Sequence, residues 1–278
     1  MGRVTRRAPA IRVEVTPDGA RSTARPDTLA VEEPLEIRVA GTSVTVTMRT
    51  PGDDFDLALG NLLTEGVLRR ADEVRHLMHC LDEDESGSPT YNVVDVTLAP
   101  DVVPDLGRSA RSGYQSSACG VCGKTSIDAI TATSPYAVAD DPVRLSPAVV
   151  AGMPEVLRSR QKVFDKTGGL HAAGIFTADG EPLAVREDVG RHNAVDKVVG
   201  WAGLEGLLPL TGHVLVVSGR ASFELVQKAV MAGLPALVAV SAPSSLAVEL
   251  ATESGLTLVG FARPPRLTVY AGAARLGL

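Results

Sequence analysis

The chain has 278 residues, of which 45% are hydrophobic, so it can bury a substantial core as one large domain or two ordinary ones. A formal charge of -6 and a pI near 5.4 argue against a general polyanion binder, and nucleic acid is not an expected partner. The opening residues carry charge without an apolar signal core, and no later run approaches the roughly 18 apolar residues of a membrane span, so the expectation is a cytoplasmic protein without a membrane partner.

Residues 1–30, rich in Arg, Pro and Thr, read as a loosely ordered lead-in. A small α+β N-terminal domain is expected over 31–110. It holds strands at Pro34 to Val39 and Ser43 to Met48 joined through Ala40-Gly41-Thr42, a helix after Gly52-Asp53, and a strand from Asn92 to Leu98. Residues 100–123 lack an apolar period and read as a long exposed loop, whose end, 111–124, bears two of the three cysteines. From 125 onward an α/β domain is expected. Ser146-Pro147 starts a helix, and Asp179-Gly180 reads as a type I′ hairpin turn. Strands at Val214 to Val217, Ala236 to Val240 and Leu256 to Val259 then alternate with helices at Phe223 to Met231 and Leu246 to Glu253, a βαβαβ pattern of parallel strands. Ser218-Gly219-Arg220 and Ser241 to Ser244 fall at strand carboxyl ends, where open α/β sheets bind ligands.

The chemistry centres on Ala118-Cys119-Gly120-Val121-Cys122-Gly123-Lys124. Three cysteines are too few for a secreted disulfide framework, and the flanking glycines leave the thiols accessible. Lys124 and a helix expected from Thr125 to Thr131 would both stabilise a thiolate. A P-loop and a thioredoxin-type motif are excluded, because both follow a hydrophobic strand and this segment follows a polar loop. A closed zinc site lacks a second close ligand pair, and no permanently bound metal is expected. Cys80, after an apolar segment, reads as a small buried hydrophobe. Downstream, Phe164 to His171, Arg186 to Lys197 and Ser218 to Glu224 each join glycine to charge at an element boundary, which suggests one shared pocket. For Glu187-Asp188 and Arg191 a salt-bridged helix entrance competes evenly with ligand contact.

Together, Cys-Gly-Val-Cys-Gly-Lys, Phe-Asp-x-Thr-Gly-Gly-x-His, Glu-Asp-x-Gly-Arg-His-Asn-Ala-x-Asp-Lys, Ser-Gly-Arg-x-Ser-x-Glu and Gly260-Phe261-Ala262-Arg263 resemble the FdhD family of formate dehydrogenase accessory sulfurtransferases. The resemblance implies a cytidine-deaminase-like three-layer C-terminal core and a homodimer. It further implies that a cysteine desulfurase passes sulfur to Cys119, with Cys122 assisting. The protein would then deliver that sulfur to a molybdenum or tungsten bis(molybdopterin guanine dinucleotide) cofactor, its bound substrate, destined for formate dehydrogenase. The expected cofactor-binding residues are Phe261, Ala262, Arg263, Pro264, Pro265, Arg266, Ser218, Gly219, Arg220 and His192. Pro264-Pro265 stands in place of a glycine-containing turn, which leaves Arg263 and Arg266 as the main contacts. Deaminase chemistry does not carry over, since His171 is followed by Ala172-Ala173 and lacks the His-x-Glu base. The competing reading is a non-catalytic cofactor chaperone.

Overall fold

The computed structural model describes residues 3–80, 90–106 and 134–278; Cys119, Cys122, Lys124 and the helix expected from Thr125 lie outside the described residues. The lead-in differs from expectation. It forms β1 (Thr5–Ala8), β2 (Ile11–Thr16), β3 (Gly19–Ala24) and β4 (Asp27–Ala30), with β1 antiparallel to β4 and β2 to β3. The alternation Ile11-Arg12-Val13-Glu14-Val15 is a strand pattern that the Arg and Pro content obscured, and ladder hydrogen bonds form without a core beneath them.

Next come β5 (Glu33–Val39), β6 (Thr42–Arg49), α1 (Asp54–Thr64), β7 (Val74–Cys80) and β8 (Val93–Leu98). They build a four-stranded sheet in the order β6-β5-β8-β7 with α1 against it. Ala40 and Gly41 both have positive φ, so the two-residue β5–β6 connection is a type I′ turn. Strand β7 has no clear alternation and was not expected. Cys80 ends it at the sheet edge, half-buried rather than the buried hydrophobe foreseen.

The C-terminal part contains α2 (Pro147–Ser159), α3 (Phe164–Thr167), β9 (His171–Thr177), β10 (Pro182–Asp188), α4 (Arg191–Leu204), β11 (His213–Val217), α5 (Phe223–Met231), β12 (Ala236–Ala239), α6 (Ser245–Glu253), β13 (Thr257–Arg263) and β14 (Arg266–Ala271). Six strands form one sheet in the order β10-β9-β11-β12-β13-β14, parallel from β11 to β13 and antiparallel at both flanks. Helix α2 packs on one face through Val150, Met153 and Leu157, while α4, α5 and α6 cover the other. This is the expected three-layer α/β core. Gly233 and Gly255, both at positive φ, end α5 and α6 as C′ residues. The β9–β10 turn departs from the type I′ expectation: only Gly180 of the Asp179-Gly180 pair has positive φ. The Gly180 N–H donates to the Thr177 carbonyl at 3.0 Å and the Thr177 N–H to the Glu181 carbonyl at 2.9 Å, a type I turn closed by glycine.

Helices α1 and α4 lock the two sheets together through glycine. A Cβ on Gly60 would stand 1.8 Å from the Asp196 carbonyl oxygen, and one on Gly200 would stand 1.8 Å from the Asp56 carbonyl oxygen. The helix backbones therefore touch where any side chain would separate them. Gly200→Ala should accordingly destabilise the protein by about 3 kcal/mol or more, because the obstruction is backbone that cannot swing aside. Urea denaturation checks this, and a loss below about 0.5 kcal/mol, the size of a surface change, would refute the close-contact reading.

Candidate functional site

Much of the Arg186 to Lys197 cluster is spent on architecture. The Glu187 carboxylate accepts the Val163 and Phe164 N–H groups at 2.9 and 2.7 Å, which anchors the entrance to α3. Asp188, fully buried, accepts from Thr50 N–H at 3.1 Å and Asn193 Nδ2 at 3.1 Å and pairs with Lys197 at 2.8 Å. Asp196, also buried, accepts from Asn61, Thr64 and Lys228. Of the two readings open for Glu187-Asp188, the structural one describes what they do here.

The cavity lies at the carboxyl ends of β11, β12 and β13. Its volume is about 850 Å³, and Leu157, Phe164, Gly168, His171, Ser218 and Arg263 are among its lining residues. The Ser218 hydroxyl accepts the Ala172 N–H at 2.8 Å, fastening β11 to β9 at the floor. Gly219 follows against the His171 ring; a Cβ there would be 3.6 Å from Nδ1. Arg158 is occupied by Asp165 at 2.6 Å and lies over the Phe164 ring at 4.6 Å. Arg263 is exposed and makes no ion pair among the described residues.

Of the expected cofactor residues, Ser218, Ala262 and Arg263 line this cavity and Gly219 borders it through His171. Phe261, held at positive φ and 46% exposed, precedes them on β13, and its N–H reaches the Ser241 carbonyl at 3.3 Å. Pro264-Pro265, joined by a cis peptide bond, form the β13–β14 turn that sets Arg263 opposite Arg266. These prolines and Arg266, with Arg220, are exposed and lie outside the lining. His192 is placed apart from the cavity. It sits at the entrance of α4 with Nε2 3.9 Å from the Glu224 carboxylate and without a hydrogen-bond partner among the described residues. Burial, then Arg191 and Lys228, push its pKa down to about 4 against the opposing Glu224 and Glu65, so at neutral pH the Glu224 contact is not an ion pair. His171, Phe164 and the Gly168-Gly169 turn were marked in the sequence as a glycine-and-charge cluster but were not chosen as site residues. The Gly168-Gly169 pair, whose first member takes the αL conformation that turns the chain from α3 into β9, was the available signal.

A second cavity of about 430 Å³ touches Gly52, Arg160, Lys162, Arg186 and Lys197. Its inner cations are already used: Arg186 pairs with Asp56 and Lys197 with Asp188. The larger cavity is the better candidate.

The FdhD/NarQ family model matches residues 30–277. The chain belongs to the FdhD/NarQ family. Among its relatives, the sulfur carrier protein FdhD of Streptomyces avermitilis is 59% identical over 280 residues, covering 100% of this chain and 98% of that protein. The sulfur carrier protein FdhD of Mycobacterium tuberculosis is 56% identical over 255 residues, covering 91% and 92%. A crystal structure described as that of a formate dehydrogenase accessory protein of Desulfotalea psychrophila matches with a TM-score of 0.71 at 24% identity, over 97% of this chain and 99% of that one. The FdhD/NarQ fold is thus present along nearly the whole chain. Among the described residues no helix is long and apolar enough to cross a membrane.

His192 gives the FdhD/NarQ core a pH response. Its folded pKa lies below the unfolded value, so the unfolded chain binds the proton more readily. The stability tied to the neutral ring is complete above about pH 6.5 and is lost as pH falls towards about 4, in total about 3 kcal/mol. Urea titrations of the wild type and His192→Asn at pH 7, 5.5 and 4 should show the two stabilities converging as pH falls. A constant difference across that range would contradict the buried neutral imidazole.

Proposed function

We propose that this protein is a sulfur carrier acting through a cysteine persulfide, in the cytoplasm and as a homodimer. The observation that carries the reading is a Cys119-x-x-Cys122 pair within a chain 59% identical, over its whole length, to a sulfur carrier protein. The Cys119 thiolate attacks the sulfane sulfur held by a cysteine desulfurase; the donor thiol leaves, and Cys119 holds the persulfide. Cys122 assists its discharge. The acceptor is the molybdenum or tungsten bis(molybdopterin guanine dinucleotide) cofactor, bound in the cavity at the strand ends and passed on to formate dehydrogenase.

The cavity suits this cargo. Its apolar walls, Leu157, Val189, Val240 and Ala262, fit flat heterocycles. Arg263 at the rim, without an ion pair among the described residues, and exposed Arg220 and Arg266 nearby can donate charge-assisted hydrogen bonds to phosphates.

Incubation with a cysteine desulfurase and cysteine should add sulfur to Cys119, located by mass spectrometry, and Cys119→Ala should abolish maturation of formate dehydrogenase while leaving thermal unfolding unchanged. Cys122→Ala should impair maturation, and Cys80→Ser should be tolerated. Full maturation by Cys119→Ala would leave the non-catalytic cofactor chaperone as the surviving reading.

Nucleotide binding is tested separately. GDP should bind more tightly than ADP by calorimetric titration, and Arg263→Ala should weaken GDP by about 1.5 to 3 kcal/mol while persulfide loading persists. Equal affinities for the two nucleotides, or an unaffected Arg263→Ala, would remove the cargo from this cavity.

A further inference from the structure

The four N-terminal strands make a single ribbon. Both ladders share one register, with Thr5 opposite Ala30 at the base and Thr16 opposite Gly19 at the tip, and the pairing is interrupted near Pro9 and Pro26. The base is fastened to the body: the Val31 N–H donates to the Val4 carbonyl at 3.0 Å, and a Cβ on Gly52 would lie 3.8 Å from Val4 Cγ1. The outer half is bare. Every residue of β2 and β3 except Thr16 is exposed, and Ile11, Val13 and Val15 stand 70%, 55% and 82% open to solvent. But for its last residue the ribbon precedes the stretch 30–277 that the family model matches, so the matched core does not include it.

Two features single out the free edge of β2. A two-residue turn is closed by a hydrogen-bonded pair, here Thr16 and Gly19, and such pairs alternate along an antiparallel ladder. Arg12, Glu14 and Thr16 therefore spend their N–H and C=O groups on β3, while those of Ile11, Val13 and Val15 face outward, where no strand among the described residues pairs with them. Ile-Arg-Val-Glu-Val-Thr is also a strong strand sequence without the Pro or Lys that blunts an edge, whereas β3 offers Gly19, Ala20, Ser22 and Ala24. Side chains alternate, so Ile11, Val13 and Val15 share one face with Ala20, Ser22 and Ala24, and Arg12 and Glu14 share the other with Arg21 and Thr23.

We propose that this edge is a self-docking surface, on which β2 pairs antiparallel with β2 of a second copy of the chain about a two-fold axis at Val13. This rests on the homodimer part of the reading above. Charge fixes the axis. With Val13 opposite its own copy, Arg12 stands opposite Glu14 of the second copy, Glu14 opposite Arg12, and Ile11 opposite Val15. Moving the axis to residue 12 sets Arg12 against Arg12, and moving it to residue 14 sets Glu14 against Glu14, both destabilising like-charge pairs. The Val13 register also matches the outward N–H and C=O groups, since Val13 meets Val13 and Ile11 meets Val15 as hydrogen-bonded pairs. The product is a sheet of order β3-β2-β2-β3, with Ile11, Val13 and Val15 of both copies side by side on one face. A lone two-stranded ribbon is marginal in water, and the second copy supplies the strands it lacks. Because the contact is isologous, it uses up the β2 edge at two copies and does not propagate along it.

The test uses the full-length chain with Cys80, Cys119 and Cys122 replaced by serine, so that each variant carries one introduced cysteine. Under mild oxidation Val13→Cys should form a covalent dimer. Ile11→Cys and Val15→Cys should each stay uncross-linked alone and join when mixed, because only residues directly opposite come within disulfide reach. Adding Arg12→Glu to Val13→Cys should slow cross-linking about ten-fold, adding Glu14→Arg should do the same, and mixing these two doubly substituted proteins should restore the rate, since each then meets opposite charge. No covalent dimer from Val13→Cys, Ile11→Cys joining itself as readily as Val13→Cys does, or indifference to both charge changes would overturn the pairing. If the serine-substituted chain sediments as a dimer while Val13→Cys does not cross-link, this proposal alone fails and the two copies meet elsewhere. Sedimentation as a monomer sinks the homodimer reading with it. Neither result touches the sulfur-carrier reading, which fails on full maturation by Cys119→Ala.

Discussion

The backbone contact between α1 and α4 organises the molecule. Gly60 and Gly200 bring the two helices so close that the Asp196 and Asp56 carbonyls occupy the space a methyl group would need. Asp196 then points between α1 and α5, where Asn61, Thr64 and the buried Lys228 surround it. Burial raises the Asp196 pKa, while Lys228, whose charge-assisted contacts outweigh its own desolvation, keeps the carboxylate compensated. A pair of this kind adds little over an apolar filling, but losing one partner costs about 3 to 5 kcal/mol. It therefore admits one register of α1 on α4 and penalises the others.

That constraint reaches the candidate site through α4. The helix is buried on nearly every side, so its N-terminal residues cannot move independently of the core. Asp188 and Asn193 tie its entrance to Thr47, Met48 and Thr50 of the first sheet, and Glu187 ties the same region to α3. The Gly168-Gly169 turn, His171 and Val189 thus sit on elements braced by both sheets. The walls of the cavity of about 850 Å³ are therefore held in place by contacts that do not depend on anything bound in it.

The βαβαβ unit was legible in the sequence because its strands are buried on both faces and its helices end at Gly233 and Gly255, so period and punctuation agree. The same logic located α1 and α2. Strand β7 escaped because Arg75, His76 and His79 interrupt its alternation at a sheet edge, and β1 to β4 escaped because charge dominated composition. The α1–α4 glycine contact was invisible: a helical glycine reads as weak propensity, and only the partner backbone shows why nothing larger fits. In the polar clusters, glycine beside charge marked the neighbourhood of the cavity without dividing its labour. Asp188, Asn193, Asp196 and Lys197 became scaffold, and His192 went to a separate buried contact. From the neighbouring clusters, Ser218 and His171 reached the cavity wall.

The division has a physical reason. A carboxylate or amide can hold two backbones together only if it is buried and saturated, and a saturated group has nothing left for a ligand. Groups that serve a ligand must keep a lone pair, a proton or a charge unspent. Along this chain the spent groups cluster on α4 and β10, between the sheets. Those without a partner among the described residues, Arg263, the hydroxyl proton of Ser218 and the His171 ring, lie where strands β9, β11 and β13 open to the cavity. Sequence motifs mix the two sets because both need polar residues at element ends. Hydrogen-bond saturation separates them, and the groups it leaves unspent among the described residues lie at the strand ends rather than in the longer, more charged Arg186 to Lys197 motif.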